Sequence, residues 1–479
     1  MNRVRFAPSP TGLLHIGGAR TYVFCWLFAR STGGQLVLRI DDTDAGRNTQ
    51  ESLRSILDGL EWLELPWDEQ HYQSERRPIH VRAAEALLAK GVAYRDFTAE
   101  GAAEAERGEG GPWLFNPGMR DLGAIESDRR ASSGEPFVIR FRVPREQPGG
   151  VGFKDLVFRK HFRRFADIED FALLRANGHP TYHLASTVDD GEMGITHVIR
   201  GQDHLTNTFK HILLLQAMGF DRPSFAHLPL LLGPDGSKLS KRRHGPIVSV
   251  TNYRDMGFLP AGFMNYLSLL GWSPKDNREV LTVEQLVDAF RIEHVLRTNA
   301  VVQVGEKPGE TQVDPKAVWL NGQHLRSMPP AQLLPYVEAY FRGSGWWRDE
   351  FSGARREWFL EAIDALRSRL NLLSEFPVRC RAYFHDDFGF EPKALANLDR
   401  DGVRDMLREL AARIERAPDF TEQSVEHELR MLSAEREVKA GLLINGSRAA
   451  LTGQPVGPSA FRVFTLLGKD RVVARLRAV

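Results

Sequence analysis

The chain has 479 residues, of which 42% are hydrophobic and 26% charged, and its formal net charge is +1. That length exceeds a single hydrophobic core and predicts two or three globular domains. A balance so near zero excludes a globally basic nucleic-acid binder, and with no apolar run of about 18 residues and no charged-then-apolar leader we expect an unanchored, cytoplasmic protein.

Arg3–Phe6 alternates basic and apolar side chains and predicts a short strand. A loop, Pro8-Ser9-Pro10-Thr11-Gly12, leads into Leu13-Leu14-His15-Ile16-Gly17-Gly18-Ala19-Arg20. Ala19, Tyr22, Val23, Trp26 and Leu27 then recur on one helical face until Ser31-Thr32-Gly33-Gly34 ends the pattern, and Gln35–Ile40 reads as a second strand. This is a β–loop–α–β unit, half of a nucleotide-binding doubly wound parallel sheet. A comparable unit returns at Thr196–Arg200. A turn at Gly201-Gln202-Asp203 follows, then a helix marked by Leu205, Phe209, Ile212, Leu213 and Ala217, and an apolar strand from Phe225 to Leu232 closed by Gly233-Pro234-Asp235-Gly236. Two half-sheets so far apart imply an inserted module, whose Ala99–Gly111 stretch reads as a solvated helix or loop. From about Pro329 onward, long segments with helical spacing, such as Trp358–Leu373 and Val403–Ile414, predict an all-α region, with the boundary near Trp319-Leu320-Asn321-Gly322.

Two stretches carry chemistry. A helix amino terminus offers free N–H groups and a partial positive charge, so the turn before Gly17 and Gly18 suits a phosphate or a flat base, and His15 can donate to phosphate oxygens whose charge grows as a bond breaks. Gly236-Ser237-Lys238-Leu239-Ser240-Lys241-Arg242 presents two lysines three apart, suited to a leaving pyrophosphate. Alone, the first is more often a plain turn and the second a solvated loop; a nucleotide reading rests on their joint occurrence at the ends of two half-sheets. The two cysteines, Cys25 and Cys380, form no CxxC or Cys/His cluster, which argues against a disulfide or structural zinc.

With residues 5–20, Arg39-Ile40-Asp41-Asp42-Thr43-Asp44, Pro180–Ala185, Val188-Asp189-Asp190, Met193–Gly201, Lys238–Arg242, Trp319–Gly322 and Arg448–Gly453, the chain resembles the class I glutamyl-tRNA synthetases of bacteria over nearly its whole length. The resemblance implies a catalytic domain over about 1–322. Within it would lie Rossmann-type halves at about 1–95 and 186–235, an inserted α+β acceptor-binding module at about 96–185 and a stem-contact region at about 236–322, with a helical anticodon-binding region over 323–479. It also implies ligation of L-glutamate to tRNA(Glu) through a glutamyl-adenylate, with tRNA usually needed even for the first step. ATP would be a substrate and Mg2+ would arrive with it. A zinc-free insertion is expected because Tyr94–Gly123 has no cysteine, and the protein is expected to be a monomer.

By the same resemblance, His15, Gly17, Gly18, Lys238 and Lys241 stand at the two ATP signatures, His15, Lys238 and Lys241 being catalytic. Arg5 and Arg200 face the carboxylates of glutamate, and Ser9 and Tyr182 hydrogen-bond it. Asp41 stands where the family commonly has Glu for the substrate ammonium, and Gln202 where a Glu is frequent near the ATP ribose. The run Asp41, Asp42, Asp44 is read as a turn and charge-pair cluster rather than a metal site. Arg369 falls where some members place an arginine against the last anticodon base. Alternatives within this reading are an enzyme that also charges tRNA(Gln), a glutaminyl-tRNA synthetase, and an inactive RNA-binding relative.

Overall fold

The structure is a computed structural model describing residues 1–43, 46, 48–98, 114–303 and 313–479, without the side chains at 117, 241, 242, 246 and 247. Asp44, the Ala99–Gly111 segment and the Lys241 side chain therefore lie outside the described residues. The chain divides into two compact units, Met1–Tyr253 with Met264–Asp314, and Arg254–Phe263 with Pro315–Val479.

The first unit is built on a seven-stranded sheet of β1 (Arg3–Phe6), β2 (Gln35–Ile40), β3 (Glu69–Tyr72), β6 (Gly150–Asp155), β7 (Arg159–Arg164), β9 (His197–Gly201) and β10 (Ser224–Leu228), in the order β3-β2-β1-β9-β10-β6-β7. All neighbours run parallel except β6 and β7, which form an antiparallel hairpin at one edge. Central strands buried on both faces need continuous apolar runs, which explains why β2 is buried from Leu36 onward. Helix α1 (Ile16–Ser31) links β1 to β2, and its residues are buried nearly all round, beyond the single face that its sequence spacing marks. β4 (Ala93–Asp96), β5 (Val138–Phe141) and β8 (Ala172–Leu174) make a separate antiparallel sheet, and the edge hairpin of the main sheet falls between β5 and β8 in the chain.

The apolar strand expected over Phe225–Leu232 is broken. β10 stops at Leu228, because Pro229 has no N–H to extend the ladder and its carbonyl is taken by Arg20. The chain then pairs Leu231–Leu232 (β11) with Ala300–Val301 (β12) in a second small sheet.

The second unit is helical among its described residues. Helix Val403–Arg416 shows the reason plainly: Val403, Met406, Leu407, Leu410, Ala411 and Ile414 form one buried stripe, and Gly446 of the Ala440–Thr452 helix lies so close that a Cβ there would stand 2.8 Å from Val403. The expected Trp358–Leu373 helix ends at Arg367, after which Leu370 turns inward and the Asn371 N–H goes to Glu375. Trp319–Gly322 lies inside the helix Pro315–Ser327, a few residues beyond the division between the units at Asp314 and Pro315. Among the described residues no helix is long and apolar enough to cross a membrane.

A buried polar knot ties the first unit together. Asp189, on the helix Tyr182–Glu192, accepts from His80 Nε2 and Arg76 Nε at 2.7 Å each and from Gln73 Nε2 at 3.0 Å, so one side chain joins β3, the helix Arg77–Ala89 and its own helix. Burial pushes its carboxyl up, but His80, Arg39 and Arg76 outweigh burial and bring it to about 2. Because the folded value lies below the ordinary 3.8, Asp189 contributes stability that is complete above that value and is lost as pH falls toward about 2. We expect Asp189→Asn to lose ~3 kcal/mol or more at pH 7 and to show a flatter loss of stability between about pH 4 and 2. Urea unfolding across that range checks both, and wild-type stability at pH 7 would contradict the assignment.

Candidate active site

β1 feeds α1 and β2 to one side while β9 and β10 continue to the other, so the loops after β1 and β9 diverge and leave a crevice at the carboxyl ends of the strands. A cleft of about 610 Å³ occupies it. Arg5, Ser9, His15, Gly17, Gly18, Asp41, Tyr182, Arg200 and Lys238 all line this cleft. Gln202 does not; its amide donates to Asn299 at 3.3 Å.

His15 is the N-cap of α1, in extended backbone, and its Nδ1 accepts from the Gly17 N–H at 3.0 Å. That bond leaves the proton of the neutral ring on Nε2. Burial lowers the imidazole below its usual 6.5 against the pull of the Leu239 carbonyl, and Lys238 and His244 lower it further, so near pH 7 the ring is a neutral donor. A Cβ on residue 17 would stand 3.3 Å from His15 Nδ1 and press on this bond, whereas at Gly18 the nearest atom is 3.5 Å away, an ordinary contact.

The lysine segment reaches the same cleft. Gly233 N–H donates to the Ser237 carbonyl, Leu239 N–H to the Leu231 carbonyl, and Gly236 at φ +73° makes the reversal that a side chain would strain. Lys238 is thereby held at the mouth of the cleft, its Nζ donating to Asp203 at 2.9 Å. Lys241 opens the short helix Lys241–His244.

Arg200 is 6% exposed, and none of the described residues offers it a carboxylate partner. Its Nε donates to His227 Nε2 at 3.2 Å and its terminal nitrogens to the Tyr182 hydroxyl at 3.1 Å, the Thr208 hydroxyl at 2.8 Å and the His204 carbonyl at 3.2 Å. Asp155 fixes His227 from behind, accepting from Nδ1 at 2.6 Å, so that Nε2 is left as an acceptor. Burial lowers His227, His204 and His211, and Arg200 lowers each of them further, with His204 brought to about 4. The arginine is cradled by neutral groups.

Arg5 is handled differently. It donates from Nε to Asp190 at 3.0 Å, and Asp190 also accepts from Arg39 at 2.7 Å. Burial raises the Asp190 carboxyl, but the two guanidiniums outweigh it and hold it below the usual range. Asp41 accepts from Arg39 Nε at 2.7 Å, yet burial dominates and raises its carboxyl. Asp42 caps the Ser74 N–H and hydroxyl at 2.7 Å each. Among the described residues no group of three His, Cys, Asp or Glu side chains is arranged to hold a metal ion.

Sequence reasoning assigned no role to Asp155, His227, Asp190, Arg39 or Asp203. One signal was present: a histidine in the otherwise apolar run Phe225–Leu232. Arg369 lies in the second unit, on a cavity of about 980 Å³ lined also by Arg326, Arg379, Tyr383, Phe390 and Val456, with Val456 68% exposed.

His227→Leu leaves Asp155 with its backbone N–H donors alone and the buried Arg200 Nε without an acceptor, and is expected to cost roughly 2–4 kcal/mol. His227→Gln, which keeps an acceptor for Arg200, is expected to lose about half as much. Equal losses in denaturant unfolding would contradict the arrangement.

Comparison with known proteins gives the following. Residues 1–306 match the family model of tRNA synthetases class I (E and Q), catalytic domain, and residues 331–479 match that of an anticodon binding domain. The glutamate–tRNA ligase of Solibacter usitatus is 49% identical over 99% of this chain and 98% of its own length, and glutamate–tRNA ligase 2 of Koribacter versatilis is 43% identical over 99% and 97%. The crystal structure of a glutamate tRNA ligase from Elizabethkingia meningosepticum, in complex with its amino acid, superposes with a TM-score of 0.85 at 31% identity, covering 100% of this chain and 98% of that one.

Proposed function

The chain belongs to the class I glutamyl-tRNA synthetase family, and from that premise we propose that it joins L-glutamate to tRNA(Glu), with ATP as co-substrate, through a glutamyl-adenylate. The observation that carries the reading is Arg200, a buried cation answered by neutral groups, in a cleft that also presents a helix amino terminus and a lysine. Such a guanidinium suits a substrate carboxylate.

In the first step the α-carboxylate of glutamate attacks the α-phosphate, forming a mixed anhydride and releasing pyrophosphate. We assign Arg200 and Arg5 to the glutamate carboxylates, Ser9 and Tyr182 to hydrogen bonds with the amino acid, and Asp41 to its ammonium group. Gly17 and Gly18 let the nucleotide approach the amino terminus of α1, where His15 Nε2–H donates to phosphate oxygens as charge builds on them. Lys238, leaving Asp203, and Lys241 neutralise the departing pyrophosphate. Gln202 must leave Asn299 to meet the ribose. Magnesium would arrive with ATP and add positive charge at its phosphates. In the second step a terminal ribose hydroxyl of the tRNA takes the glutamyl group and AMP leaves. We read the protein as acting as a monomer in the cytoplasm, where tRNA is charged.

Glutamate-dependent ATP–pyrophosphate exchange tests this reading. We expect exchange that requires tRNA, and we expect Lys238→Ala to lower kcat by on the order of 100-fold with little change in the glutamate KM. Absence of exchange with tRNA present would overturn the function, and an unchanged kcat would remove Lys238 from it.

We further assign Arg369, with its cavity, to the last anticodon base, where a guanidinium reads base edges. Arg369→Gln is then expected to raise charging of tRNA(Gln) relative to tRNA(Glu) by about 5- to 100-fold. An unchanged ratio in paired charging assays would make Arg369 a solvated helix residue.

A further inference from the structure

Of the six arginines buried among the described residues, four have a carboxylate in contact: Arg5 meets Asp190, Arg39 meets Asp41 and Asp190, Arg120 meets Asp170, and Arg475 meets Asp386. Arg20 and Arg200 are the two without one, and both line the same cleft. In the proposed function glutamate answers Arg200. No step of that function uses Arg20.

Arg20 stands one turn into α1, beyond Gly17 and Gly18, and is 3% exposed. Its terminal nitrogens donate to two backbone carbonyls, that of Leu270 at 3.1 Å and that of Pro229, while its Nε has no hydrogen-bond partner among the described residues. Burial lowers the guanidinium to about 10, so it stays charged near neutral pH. Two carbonyls need only neutral donors, and a buried charge without a counter-ion costs far more than a buried amide would. Bonding those carbonyls therefore does not account for a cation at this position.

The surroundings indicate which anion the cation serves. Pro229 begins the stretch Pro229-Leu230-Leu231, all three of which line the cleft, and the Leu231 carbonyl accepts from the Leu239 N–H of the lysine segment. Arg20 thus shares a wall with Lys238 and with the amino terminus of α1, the groups assigned to the phosphates. Arg200 lies instead among Tyr182, Thr208 and His227, on the side assigned to the amino acid. A cation held out of water is screened little by salt and acts across several ångströms on an anion it does not touch.

We propose that Arg20 is a positioning residue for ATP: its uncompensated charge draws the phosphate chain into the cleft, and its two carbonyl bonds set the wall at 229–231 beside which the nucleotide lies. The proposal rests on the reading of ATP as co-substrate. It gives each anionic substrate its own buried arginine.

Three variants separate the charge from the scaffolding, each read by tRNA-dependent ATP–pyrophosphate exchange. Arg20→Met removes the charge and every donor, Arg20→Gln removes the charge but keeps an amide donor, and Arg20→Lys keeps the charge and a donor. The ATP KM is expected to rise about 10-fold in Arg20→Met and Arg20→Gln and to stay within about 3-fold of wild type in Arg20→Lys, with the glutamate KM within about 2-fold in all three. A clamp that worked through hydrogen bonds alone would group Arg20→Gln with Arg20→Lys. Equal ATP KM values in those two variants, or ATP and glutamate KM values that rise together, overturn the proposal, and this comparison decides it even if Arg20→Met does not fold. If the wild-type protein shows no exchange with tRNA present, the functional reading itself fails.

Discussion

A guanidinium buried in the crevice without a carboxylate from the fold is the constraint on which the rest of the site depends. Taking an arginine out of water costs several kcal/mol unless hydrogen bonds and charge replace what water supplied. Here the fold supplies the hydrogen bonds but no carboxylate in contact, Asp190 acting on the cation only from a distance. Arg200 donates to His227, Tyr182, Thr208 and the His204 carbonyl, while the carboxylate nearest this chain of bonds, Asp155, touches His227 rather than the arginine. The arrangement is self-consistent: the cation helps to keep the surrounding histidines neutral, and only a neutral His227 can accept from it. In the proposed function a ligand carboxylate would complete the charge balance, so that one side chain would serve both as a packing element and as the selector of an acidic substrate.

Arg5 and Arg39 are treated in the opposite way, and the contrast assigns their work. Asp190 is shared by Arg5 and Arg39, and Asp41 is held by Arg39, so these groups form a rigid wall of nearly balanced charge. Lys238 is different again. Its pair with Asp203 is half exposed on both sides and worth at most about 1 kcal/mol, so its exchange for a phosphate chain, as proposed, would cost little. Fixed wall, unanswered selector and exchangeable lysine meet because strand order brings β1 and β9 together at the point where the connections diverge.

Much of this was legible in the sequence because the decisive residues sit in short contiguous segments. The loop before α1 shows its histidine and glycines side by side, and the Lys238 segment follows an apolar run and a Gly-Pro-Asp-Gly turn, so local pattern located both mouths of the crevice. The carboxylates and the histidine behind the two arginines were not legible. Asp155 and His227 are separated by 72 residues and meet only through the pairing of β6 with β10, and Asp190 reaches Arg39 across 151. The break after Leu228 was hidden because Leu230, Leu231 and Leu232 continue the apolar run past the proline that ends the ladder. The boundary expected near Trp319–Gly322 stands beside a helix whose role was not legible: the Asn321 amide there holds the Leu259 N–H and the Asn371 carbonyl, groups 62 and 50 residues away.

The central claim is that Arg200 demands a negative charge from the amino acid. Glutamine differs from glutamate by a side-chain amide that brings no charge and would point N–H donors at whichever of the Arg200 and Arg5 guanidiniums receives it. The most direct measurement is the ratio of kcat/KM for glutamate over glutamine in tRNA-dependent adenylate formation. The account predicts a preference on the order of 1,000-fold or more for glutamate; comparable efficiencies with the two amino acids would contradict it.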